Sequence, residues 1–200
     1  DTLMAAPDGQ QSLDSAVATC TLEENGLDLS EMFRAAATDE KPHSRRAALS
    51  FFEASVRTLR SSLGEAAKAL LQKFPKHLLE SLACDESVMI RKASVATFAL
   101  LLDLYPSPEI HALWRHCVLP LALDPEGGVA ERAFEEVDRA ILAPLTGASK
   151  RAGRRLPAEY PKVLDGLSSE ETEYLQRALR CLLQRNKDFD ASSVVASLAA

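Results

Sequence analysis

From Leu29 onward the apolar residues of this chain recur every three or four positions, in block after block, and this period restricts the possible fold more than any other feature. A recurrence near 3.6 residues is that of a helix burying one face. Leu29, Met32, Phe33 and Ala36 form the first stripe, and Ala48, Leu49, Phe52, Val56 and Leu59 the second. Leu70, Leu71 and Phe74 close a third at Pro75, and Leu78, Leu79 and Leu82 open a short fourth. Ile90, Ala93, Thr97, Leu101 and Leu104 make the fifth, which Pro106 and Pro108 stop because proline cannot continue a helix. Ile110, Leu113, Trp114, Cys117, Val118 and Leu121 make the sixth. Ala133, Phe134, Val137 and Ile141 make the seventh, ending near Pro144. Tyr174, Leu175, Ala178, Leu179, Leu182 and Leu183 make the last, with Ser168 and Glu171 at the spacing of a capping box. No segment alternates with period two. The pattern predicts an all-α chain.

The helices also repeat. Asp39 opens Asp-Glu-Lys-Pro-His-Ser-Arg-Arg-Ala, Asp85 opens Asp-Glu-Ser-Val-Met-Ile-Arg-Lys-Ala, and Asp124 opens a third copy that reaches Arg132 and Ala133 with one extra residue. Arg46, Arg91 and Arg132 are the arginines taken for the three turns. The aspartates lie 46 and 39 residues apart, bracketing the unit of HEAT and armadillo arrays. Each aspartate follows one apolar helix and precedes a longer one, where a carboxylate can accept from free N–H groups and is favoured by the helix dipole. Each arginine can reach the next repeat's aspartate and tie adjacent turns. A helix pair cannot cover its own apolar faces, so neighbours must stack. The fold expected is a HEAT/armadillo-like α-solenoid of stacked antiparallel helix pairs. It divides into an acidic linker or frayed segment at 1–28, three repeats over 29–143, a basic loop at 144–157, and further solenoid helices over 158–200.

At 200 residues the chain can bury a full core without disulfide staples. It opens with Asp1 and stops within an apolar Ser/Ala/Leu stretch, which reads as a piece of a larger protein. The net charge of −6 belongs to the head: residues 1–28 carry Asp1, Asp8, Asp14, Glu23, Glu24 and Asp28 with no Lys or Arg. Residues 29–200 balance 23 acidic against 23 basic side chains, so bulk charge does not point to nucleic acid. No apolar run reaches the roughly 18–20 residues that span a bilayer, and no signal peptide opens the chain, so no membrane partner is expected. Cys20, Cys84, Cys117 and Cys181 lie 64, 33 and 64 residues apart, with no Cys-x-x-Cys pair. They read as small apolar residues of a reducing compartment.

Catalytic chemistry has no candidate. His111 and His116 are five apart on a helix, on different faces, and make a poor metal pair. There is no phosphate-cradling Gly-rich loop and no nucleophile motif. Glu135 and Glu136, like Glu170 and Glu171, read as solvated charges, and Trp114 as core. No catalytic, cofactor or metal residue is assigned, and no cofactor or small-molecule substrate is expected. One stretch differs. Lys150, Arg151, Arg154 and Arg155 lie among Gly, Ala and Ser with no acid between. This is the composition of a solvated inter-repeat loop. The functional alternative is a sequence-independent contact to DNA phosphates or an acidic partner, since no aromatic is interleaved for base stacking.

The segment from Glu31 through Asp39 and Arg46 to Leu49 resembles the D-type HEAT-repeat subunits of the condensin II complex. Asp85 to Ala93, Trp114 with Val118-Leu119-Pro120 leading to Asp124, and Leu164 to Asn186 with Phe189 and Asp190 follow in that family's order. The resemblance covers about residues 29–190. It implies a non-catalytic nuclear subunit acting in mitotic chromosome condensation. Its partners would be the kleisin, the SMC coiled-coil ATPases that hydrolyse ATP, and a second HEAT subunit, with sequence-independent engagement of DNA or chromatin. A generic helical-repeat adaptor, of the nuclear transport receptor or phosphatase scaffold type, shares the architecture. Import receptors, however, grip basic cargo with acidic inner helices, which the neutral body lacks.

Overall fold

The computed structural model describes residues 29–62, 75–147, 150–151, 154–155 and 160–185. The chain divides into two compact units, Asp1–Leu79 and Glu80–Ala200, with the boundary inside a helix. The expected linker at 1–28, the stripe ending at Phe74, Cys20 and the segment beyond Arg185 lie outside the described residues.

In the first unit α1 (Leu29–Ala37) packs against α2 (Pro42–Ser62). Phe33, Ala48, Leu49, Phe52 and Val56 are buried, and the Phe33 and Phe52 rings meet at 5.7 Å between centroids. The α1 stripe is rotated from the expected one: Ala37 is buried, whereas Met32 is 47% exposed. A nine-residue helix offers Phe33 and Ala37, four apart, as its narrow contact line, and Met32 lies 100° round from Phe33. The helix α3 (Lys76–Ala83) buries Leu78, Leu79 and Leu82, as their spacing predicts.

The second unit is an all-α helical-repeat stack. It contains α4 (Val88–Leu104), α5 (Pro108–Leu121) and α6 (Gly127–Val137). The last runs on through a π-helical turn (Asp138–Leu142) into the short α7 (Ala143–Leu145). A 3₁₀ turn (Lys162–Leu164) then leads to α8 (Ser169–Arg185). The helices α5 and α6 form a pair joined by a five-residue connection, 122–126, short enough to require antiparallel neighbours. α4 packs on both members, and so does α8. The contacts α4–α6 and α5–α8 join elements two or more apart in sequence, which is how successive repeats cover each other's apolar faces. α4 is therefore buried widely, at Ile90, Ala93, Ser94, Val95, Thr97, Phe98, Leu100 and Leu101.

Every residue of the sixth stripe is buried, with Trp114 wholly enclosed. Ser107 caps α5 by accepting from the Ile110 N–H, with Pro108 at the first position where its missing N–H costs nothing. The capping box forms at α8: Glu171 N–H donates to Ser168 Oγ at 3.1 Å and Ser168 N–H to Glu171 Oε2 at 2.8 Å. Tyr174, Leu179 and Leu182 of that helix are half-buried, while Leu175 and Ala178 are buried.

Pro144 does not end the seventh helix. The π turn absorbs the proline: Ala143 N–H bonds back five residues to Asp138 O, and helical structure continues to Leu145. The end comes at Gly147, whose φ of 63° suits only a residue without Cβ. The expected plain loop over 144–157 also contains a minimal antiparallel ladder, β1 (Lys150–Arg151) with β2 (Arg154–Arg155). Two-residue strands escape a search for period two.

Candidate nucleic-acid interface

The three repeat aspartates make the same local bond. Asp39 Oδ1 accepts from Lys41 N–H at 2.7 Å, Asp85 Oδ1 from Ser87 N–H at 2.8 Å, and Asp124 Oδ1 from Glu126 N–H at 2.9 Å. Each carboxylate thus holds the backbone at the entry of a helix that begins three residues after it, at Pro42, Val88 and Gly127. The third turn therefore has no extra residue.

The arginines sort differently from the sequence alignment. Arg91 Nη1 donates to the carbonyls of Asp85 and Glu86 at 2.8 and 3.0 Å, and Nε and Nη2 form a two-pronged pair with Asp124 at 2.7 and 3.0 Å. One guanidinium thereby ties its own turn to the next. In the first copy it is Arg45, not Arg46, that repeats this reach, donating to the carbonyls of Asp39 and Glu40 at 3.0 and 2.9 Å. Both sit six residues after their aspartate, in the first turn of the helix, where side chains lean back toward the N-terminus. Arg46, 100° further round, bonds Ser50 on the surface. In the third copy the sixth position is Ala130, and Arg132 pairs with Glu135 in an exposed i,i+3 contact.

Burial pushes the Asp124 carboxyl up, but the Arg91 hydrogen bond, the Glu126 N–H and the Arg91 charge together hold it below its ordinary value. A depressed carboxylate contributes stability that is complete above its unfolded pKa, about 4, and is lost as pH falls through the lower folded value. Acid unfolding followed by circular dichroism should therefore show wild type losing stability below about pH 4. Asp124→Asn should be less stable at neutral pH and flatter in that window. Parallel acid-limb curves for the two proteins would contradict the pair.

Two further groups fix the second unit. Trp114 Nε1–H donates to Glu136 Oε1 at 3.1 Å, and Arg139 grips Glu136 at 2.6 and 2.7 Å while reaching Asp103 on α4 at 2.5 Å. Glu136 is 4% exposed, which corrects its reading as a solvated charge. Its three-residue offset from Ala133 places it on the buried stripe, and the Trp114 N–H needs an acceptor there. Arg115 is also buried. It donates to the carbonyls of Val163 and Gly166 at 3.0 and 3.2 Å and pairs with Glu171 at 3.4 Å. The segment after the basic stretch is thus pinned to α5, with Gly166 turning at φ 71°.

The basic hairpin stands between these anchors, after Gly147 at the end of the helical rod and before Tyr160 and the pinned 3₁₀ turn. Its register pairs Lys150 with Arg155 and Arg151 with Arg154. From Arg139 to Ala158 the sequence supplies no Asp or Glu.

Among the described residues no three His, Cys, Asp or Glu side chains gather to hold a metal ion, and no helix is long and apolar enough to cross a membrane. Burial, with Glu80 and Cys84 nearby, pushes the Cys117 thiol far up, which leaves it an unreactive core group. His111 is held below its ordinary value by partial burial and the positive charges of Arg115 and Lys162, against Asp165.

The Asp–Arg turns, the stacked pairs and the hairpin are features that a comparison of whole sequences can weigh. The chain is similar to a condensin-2 subunit. The match is to condensin-2 complex subunit D3-L of Xenopus laevis, 26% identical over 172 residues, covering 84% of this chain and 11% of the frog protein. This supports a D3-like relation at low identity, and the chain spans about a ninth of that relative's length. No family model matches the chain. No solved structure matches it.

Proposed function

We propose that this chain is a non-catalytic scaffold segment of a condensin II D-type subunit. It would act in mitotic chromosome condensation beside the kleisin, the SMC ATPases and a second HEAT subunit, in the nucleus and on chromosomes. The observation that carries the reading is the similarity to the D3-L subunit along 84% of the chain. The repeat stack supports it, because stacked pairs with enclosed apolar stripes give a stiff surface for other chains. The four basic residues Lys150, Arg151, Arg154 and Arg155 are the proposed contact to DNA or an acidic partner. The repeat-turn residues Asp39, Asp85, Arg91 and Asp124 are structural in this proposal, and Arg45 takes the place first given to Arg46.

Imaging the natural protein tagged in dividing cells tests the reading. It should concentrate along mitotic chromosome axes, and its depletion should leave chromosomes longer and less compact. A tag that stays off chromosomes throughout mitosis, with normal compaction after depletion, would refute the proposal.

A further inference from the structure

Among the described residues two ion pairs join α4 to the α6 rod, one at each end, and they are built unequally. Near the start of α4, Arg91 makes its two-pronged pair with Asp124 in the turn before α6, and the two side chains are 14% and 5% exposed. Near the end of α4, Asp103 meets Arg139 just past the end of α6, and those side chains are 54% and 44% exposed. The helices therefore run parallel. The pairs stand twelve residues apart on α4, about 18 Å along its axis. A buried two-pronged pair loses much when it is parted, whereas a half-exposed one is screened by water and salt. Parting Asp103 also strands no charge on the rod, because Arg139 keeps both oxygens of the buried Glu136.

We infer that the α4–α6 contact is a hinge with a latch: the helices stay joined at Arg91–Asp124 and fan apart at Asp103–Arg139. The packing beneath favours opening at the same end. Ile90 is buried in the first turn of α4, but no α4 residue beyond Leu101 is. On the rod, the far end is the π turn, and Pro144 after it has no N–H to donate, which removes one helical bond there. Fanning at one end alters the angle between successive repeats while the enclosed α5 stripe stays packed, as in other hinge motions. About 10° of it carries the far ends about 3 Å apart over that lever. The surface that α4 and α6 present to a partner thus changes curvature with ionic strength. The device is independent of which assembly the chain joins.

Pulsed electron paramagnetic resonance on the full chain tests this, with the four native cysteines replaced by alanine and spin labels paired on exposed sites. Met89→Cys with Glu126→Cys reads the hinge end, and Pro106→Cys with Asp138→Cys the latch end. At low salt Asp103→Asn should move the latch-end distance outward by about 3 Å and broaden it, with the hinge-end distance unchanged. Raising the salt concentration should do the same to the chain that keeps Asp103, and nothing further to the variant. Asp103→Glu, which retains the carboxylate, should retain the salt response. If Asp103→Asn leaves the latch end where it was, or if both ends move together, the hinge is refuted. A variant that responds to salt as its parent does would show that another contact holds that end, and would refute the latch. Matching circular dichroism spectra of all labelled chains separate these outcomes from misfolding.

Discussion

Arg139→Ala should destabilise the Glu80–Ala200 unit by about 3 kcal/mol, the low end of the range for breaking a buried ion pair. The low end applies because Arg139 is 44% exposed, so water already screens its own charge. The cost falls on Glu136, which stays 4% exposed with only the Trp114 N–H left as its described partner. Asp103→Ala removes the other carboxylate that Arg139 touches, but that pair is about half exposed on both sides and should contribute under about 1 kcal/mol. Trp114→Phe keeps most of the ring's volume and removes one hydrogen bond to a charged group, for about 1.5–3 kcal/mol. Urea unfolding of the three variants checks the order. Equal losses for Arg139→Ala and Asp103→Ala would show that burial of Glu136 is not what makes the cluster matter.

Arg91→Ala should cost a similar amount, about 3 kcal/mol, for a different reason. It takes the counter-charge from Asp124, whose side chain is 5% exposed, and removes a donor from two turn carbonyls at once. Arg132→Ala, in the exposed i,i+3 pair with Glu135, should change stability by under about 0.5 kcal/mol. A double-mutant cycle between Arg91→Ala and Asp124→Asn should return a coupling of about 1–3 kcal/mol. A coupling near zero would mean that the guanidinium serves only its own turn, and that successive repeats are joined by apolar packing alone.

The parts of this fold that could be read from sequence are those where period and burial coincide. The α5 stripe from Ile110 to Leu121 is enclosed at every position, because that helix contacts neighbours on more than one side. The α1 stripe was rotated because a short helix buries a line two residues wide, which period alone cannot orient. Arg45, not Arg46, shares with Arg91 the six-residue offset from its aspartate, a count the sequence itself contains. Charge alone reads Glu136 as solvated, although its spacing from Ala133 places it inward. The pairing of β1 with β2 was not legible, because two-residue strands show no period. Arg115 gave no local signal: its partners are carbonyls 48 and 51 residues away.

The proposed membership of a condensin II assembly is tested most directly by affinity purification of the natural protein from mitotic extract, with the bound chains identified by mass spectrometry. The proposal predicts two SMC ATPases, a kleisin and a second HEAT subunit in near-equal amounts, retained at a salt concentration that strips DNA. Recovery of transport cargo or phosphatase subunits in their place, or of the protein alone, would contradict it.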